Sequence, residues 1–262
     1  MKSESYNKNF LNCLEKSFLI YLERGARSTA KLKILHPYIA QDLRKFLGNE
    51  YQVYSLDKND GKEKKISGRY FDKKVDILIT KGNLTVAGFG VKFIMSNYKQ
   101  NSNNYFENML GETANIRTNT ILYFQIVICF AYPLYFHKEK NQERIIKTIE
   151  EINSRHLKKY RILSSDNIVN FLHSPNKTFL TLVNFKNINC KELFENGKLK
   201  TFVDFIRIVK ESDIQLEFSP LKIHEWDLDE SNNKENIFKK NLIFNDYQKY
   251  IEKCSQLIKG SF

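Results

Sequence analysis

Residues 73–95, K-K-V-D-I-L-I-T then K-G-N then L-T-V-A-G-F-G-V-K-F-I-M, constrain the fold more than any other stretch of the chain. Two runs rich in β-branched and aromatic residues flank a Lys81-Gly82-Asn83 turn, which is the signature of a β-hairpin. Both runs are apolar enough for strands covered on both faces, so helices must pack against them. A second apolar run, residues 121–132, follows a segment with helical character at 104–117. Strand, helix, strand implies a crossover and a parallel pair. The expected class is therefore α/β, with a central mixed β-sheet flanked by helices.

The rest of the chain fits around this core. Leu11, Leu14, Phe18 and Tyr21 recur at helical spacing, as do Leu35, Ile39, Leu43 and Phe46, the second series stopping at Gly48. An extended stretch is expected at 51–56 and a charged turn at 57–65. Further helices are expected at 143–157, 166–173, 198–211 and 236–259, a strand at 178–185, and an exposed loop at 225–236. No internal repeat or domain boundary is visible. One domain over 1–262 is expected, with its core at about 34–135 and elaborations from 140 to 262.

Cys13, Cys129, Cys190 and Cys254 are scattered without a C-x-x-C pair and read as reduced thiols. The apolar stretch at 121–136 is broken by Gln125 and Pro133 and is too short to span a bilayer. The opening residues lack the build of a secretory signal. A cytoplasmic protein with no membrane partner is the expectation. Lys and Arg number 42 against 30 Asp and Glu, a formal charge of +12 spread along the chain rather than gathered in a tail. Such a surface favours a polyanion through counterion release.

The charged residues inside the hairpin carry the chemistry. If the strands pair symmetrically about Gly82, Asp76 lies opposite Gly88 and shares a face with positions 86, 88, 90 and 92, because side chains alternate with period two. Lys92 then projects beside the Asp76 carboxylate. Gly88 and Gly90 offer no side chain on that face and leave room for a ligand. A carboxylate can hold a hard divalent cation, and a lysine can orient an attacking water near a phosphate. A solvated ion pair is the simpler account of the same two residues.

The stretch from Gly68 to Arg117, "GRYFDKKVDILITKGNLTVAGFGVKFIMSNYKQNSNNYFENMLGETANIR", resembles the core of type II restriction endonucleases of the PD-(D/E)XK nuclease superfamily. The resemblance implies a restriction-endonuclease-like core, Mg²⁺ as cofactor, and hydrolysis of phosphodiester bonds in double-stranded DNA. Asp76 matches the metal-binding aspartate, preceded by Val75 where the motif has proline, and Lys92 matches the catalytic lysine. Two residues before that lysine, where the family places an acid, stands Gly90. In some members that acid has moved to the following helix, and here Glu107 or Glu112 supplies it. Asn104 and Glu107 also read as a capping box, which gives Glu107 a structural use. Glu23 is an upstream acid, although an i,i+4 pair with Arg27 accounts for it.

DNA contacts are expected from the polar run that follows the strand: Ser96, Asn97, Tyr98, Lys99, Gln100, Asn101, Asn103 and Asn104. Arg24, Arg27, Lys31 and Lys33 form a second basic cluster. The five histidines show no ligand or nucleophile spacing and receive no catalytic role. The family further implies a homodimer and a cognate DNA methyltransferase acting on the same site. Gly90 motivates an alternative, a DNA-binding protein with the nuclease fold and no activity. A structure-specific repair or recombination nuclease is another.

Overall fold

The computed structural model describes residues 2–25, 28–56, 63–138, 144–223 and 237–262, and side chains from residue 5 onward. Two amphipathic helices open the chain, α1 (Lys2–Arg24) and α2 (Leu32–Leu47). Gly48 ends α2 with φ 91° and returns its N–H to the Arg44 carbonyl. Then come β1 (Tyr51–Ser55), the short pair β2 (Lys65–Ile66) and β3 (Lys73–Lys74), and the hairpin β4 (Ile77–Lys81) and β5 (Leu84–Ser96). Helix α3 (Tyr98–Arg117) leads into the long β6 (Leu122–Lys138) and its antiparallel neighbour β7 (Arg144–Ile149). The remainder is α4 (Lys158–Ser165), β8 (Lys177–Phe185), α5 (Cys190–Glu195), α6 (Phe202–Glu211), β9 (Leu216–Phe218), β10 (Leu242–Phe244) and α7 (Tyr247–Ser261).

The main sheet runs β1-β4-β5-β6-β8-β10, with β7 added to β6 and β9 to β8. β4 runs antiparallel to its neighbours β1 and β5, whereas β5, β6, β8 and β10 are parallel. The fold is thus α/β with a central mixed sheet flanked by helices, and the β5-α3-β6 unit supplies the crossover that the sequence implies. On one face Phe89, Val91, Phe124, Ile126 and Ile128 pack beneath α1, α2 and α7. Phe10 stacks on Tyr247 there, with ring centroids 4.0 Å apart. On the other face Ile94, Val127 and Cys129 meet Tyr98 and Met109 of α3. All four cysteines are free and buried, and no described helix is long and apolar enough to cross a membrane.

Four sequence expectations need correction. Helix α3 starts at Tyr98, six residues before the expected start, because its first turn is capped from a distance. The Glu150 carboxylate accepts the Lys99 N–H, and the Asn97 side chain bridges the backbone N–H and C=O of Phe136. Residues 144–149 form a strand rather than a helix, since pairing to β6 claims a β-branched run. Residues 166–173 are turns: the Arg117 guanidinium takes the Ile168 and Phe171 carbonyls, which would otherwise serve a helix. Finally, the described part of 236–259 passes through a turn into strand β10 beside β8 and becomes helical only after the Asp246 cap. The expected loop at 225–236 and positions 57–62 of the charged turn lie outside the described residues.

Candidate functional site

The hairpin turn has two residues, Gly82 and Asn83, with Gly82 at φ 56°, and Lys81 opposite Leu84. A bulge between Ile79 and Thr80 then shifts the ladder, so that Ile77 faces Phe89. Continued one rung, Asp76 falls beside Gly90 rather than Gly88. The symmetric pairing expected from the sequence is therefore corrected by two residues, an even shift that preserves the face. Asp76 stands just before β4, where the ladder stops, and its Oδ2 accepts the Val91 N–H at 2.6 Å in place of a backbone carbonyl. This bond fixes the carboxylate at the open end of the hairpin.

Helix α3 brings Glu112 to the same place. Its Oε1 lies 2.8 Å from Lys73 Nζ and 3.6 Å from Lys92 Nζ. The end of α3 is strapped to the segment before β3 by Asn115, whose side chain accepts the Tyr70 N–H and donates to the Phe71 carbonyl. Gly68 permits this closeness, because a Cβ there would stand 2.1 Å from the Asn115 amide nitrogen. From α2, His36 points its Nε2 at Asp76 Oδ1, 3.9 Å away. Glu63 completes a group in which one ligand atom from each of His36, Glu63 and Asp76 lies within 4.8 Å of the others.

Burial raises the Asp76 carboxyl to about 6, against the Val91 hydrogen bond and the Lys92 charge, which favour the ionised form; Glu112 adds to the rise. His36 is driven the other way, down to about 4, by burial above all, so its imidazole is neutral at ordinary pH. Asp76 nevertheless keeps 23% of its side chain exposed, enough for an ion to reach it. Two carboxylates and a neutral imidazole form a donor set suited to a divalent cation, so the residues present fit a metal.

The linkage has a definite sign. The raised Asp76 favours the folded state below the carboxyl's ordinary value and loses that contribution as pH rises through about 6. A bound cation requires the ionised form and reverses the trend. The increase in Tm on adding a divalent cation is expected to be small at ~pH 5 and full above ~pH 7. Thermal melts across that range test it; an increase independent of pH contradicts it.

Gly90, where the sequence resemblance leads one to expect an acid, is closed rather than vacant. A Cβ there would lie 2.7 Å from Gln125 Oε1 and 2.9 Å from both Gln125 Nε2 and the Tyr123 hydroxyl. Gln125 is fully buried, and the register places it directly opposite Gly90 on β6. Gly90→Ala is expected to destabilise the fold by about 1–3 kcal/mol, the usual cost of overpacking. Adding Gln125→Ala should recover part of that loss in a double-mutant cycle; additive effects from urea melts would contradict the contact.

The other expected site residues lie elsewhere. Glu107 is exposed on α3, within electrostatic range of Lys159. Both Asn104 and Glu107 are interior to α3, so the expected capping box does not exist. Ser96 ends β5, and Tyr98 is buried with its hydroxyl directed at the His156 carbonyl. Asn97 is tied to Phe136, Asn101 to the Asn97 carbonyl, and Asn103 accepts from Lys159. Lys99, Gln100, Asn103 and Asn104 expose side chains along the start of α3. Glu23 and Arg24 are exposed at the end of α1, Lys31 is buried and donates to the Ser28 carbonyl, and Arg27 lies outside the described residues.

Sequence reasoning missed His36, Glu63, Lys73 and Gln125. His36 occupies a core-facing position of an amphipathic helix, which by itself signals packing. Only its lack of a hydrogen-bond partner among the described residues, visible in three dimensions, marks it. No protein-family model, no curated protein and no solved structure matches this chain.

Proposed function

We propose that this chain is a magnesium-dependent endonuclease related to type II restriction enzymes of the PD-(D/E)XK superfamily, hydrolysing phosphodiester bonds in double-stranded DNA. The observation that carries the reading is the convergence of Asp76, Glu112 and Lys92 at one end of the β4–β5 hairpin. The acid absent at Gly90 is supplied from α3, by Glu112 rather than Glu107.

Asp76 and Glu112 would hold the cation. When bound, it supplies Lewis acidity and lowers the pKa of a coordinated water. Lys92, half-buried beside Glu112, donates hydrogen bonds toward the scissile phosphate or the attacking water and balances charge there. The Val91 N–H keeps Asp76 from rotating away. The net charge of +12 supports a polyanionic substrate.

One observation favours a second reading, a DNA-binding protein without activity: Lys73 already pairs with Glu112, and no acid stands at position 90. Incubating the purified protein with a mixed-sequence plasmid and Mg²⁺ separates the two. Discrete fragments support the endonuclease, whereas salt-sensitive retention of intact DNA supports the binder.

A further inference from the structure

His36 is fully buried, and neither of its ring nitrogens has a hydrogen-bond partner among the described residues. A buried imidazole in that condition costs free energy unless something occupies it. Its Nε2 is aimed at Asp76 Oδ1 across 3.9 Å. That separation is too long for a hydrogen bond. It is shorter than the roughly 4.2 Å spanned by two ligands on opposite sides of one ion with bonds of about 2.1 Å. Glu63 brings a third ligand atom within 4.8 Å of the other two.

We propose that His36, Glu63 and Asp76 form a site for a divalent transition-metal ion, which they hold in preference to magnesium. The three ligands come from α2, from the segment entering β2, and from the residue just before β4. An imidazole nitrogen favours Fe²⁺, Co²⁺, Ni²⁺ or Zn²⁺, whereas magnesium favours oxygen ligands and keeps its waters. The site shares Asp76 with the proposed hydrolytic centre but uses neither Glu112 nor Lys92, so it stands whether or not the chain cuts DNA.

The test is titration of the full chain with Co²⁺, followed by its visible absorption, with competition by Zn²⁺ and by Mg²⁺. Saturable binding that Zn²⁺ displaces and an equal concentration of Mg²⁺ does not is expected. His36→Gln should weaken Co²⁺ binding by more than the ~10–100-fold cost of losing an outer-shell partner. Glu63→Ala, at a half-buried position outside the core, should weaken it as well and decides the matter if His36→Gln fails to fold. X-ray absorption on the Zn²⁺-loaded wild type should show imidazole scattering without any variant. Wild-type Co²⁺ affinity in both variants, or a metal shell lacking imidazole, overturns the inference even if the chain cuts DNA with Mg²⁺. Loss of Co²⁺ binding in a variant that still cuts with Mg²⁺ supports it, and failure of the wild type to cut with any ion contradicts the hydrolytic reading alone.

Discussion

Asp76→Asn is expected to lower DNA cleavage by at least about 10²–10³-fold, the scale of losing one preorganised electrostatic group, while making the metal-free protein more stable at neutral pH. The two effects have opposite signs for one reason. Burial raises the Asp76 carboxyl to about 6, so the folded state resists the charge that metal binding needs. Asparagine keeps an oxygen to accept the Val91 N–H at almost the same geometry, and it carries no charge to desolvate. The gain at neutral pH is on the order of 3 kcal/mol, the linkage value of a carboxyl raised from 3.8 to about 6. A functional site built against stability behaves in this way. A melt and a cleavage assay on the same preparation check both signs; lower stability with full activity would place Asp76 among structural residues.

The second large effect separates the two glutamates of α3. Glu112→Gln is expected to reduce cleavage by about 10²–10³-fold, whereas Glu107→Gln should leave it within about twofold, as expected of an exposed group distant from the reacting atoms. Glu112 lies 3.6 Å from Lys92 and 2.8 Å from Lys73, half-buried at the mouth of the hairpin. Five residues earlier on the helix, Glu107 sits on a different face, since 3.6 residues make one turn. The ion pairs of Glu112 are partly exposed and contribute little to folding, so Glu112→Gln should melt near the wild type. Equal losses in the two variants would contradict the assignment.

The core of the fold was legible because its signals are local. The hairpin announces itself through β-branched runs around Gly82, and the period-two rule placed Asp76 and Lys92 on one face even though the register was two residues off. An even error is harmless, whereas an odd one would have reversed the face. The start of α3 was not legible, because its cap is Glu150, fifty-one residues away from Lys99 in sequence. The turns at 166–173 likewise depend on Arg117. Choosing between Glu107 and Glu112 required knowing where α3 begins and which face it turns to the hairpin. His36 was illegible for a different reason: a histidine in an apolar helix face looks the same whether or not its ring finds a partner.

The rate of phosphodiester cleavage in duplex DNA, measured against divalent-cation concentration, tests the central claim most directly. Cleavage should be absent in chelator, rise to saturation as the cation is restored, and fall to background with Asp76→Asn at every concentration. Cutting that persists in chelator, or intact DNA at all concentrations with a protein that still retains it, would contradict a cation-dependent hydrolytic centre built on Asp76, Glu112 and Lys92.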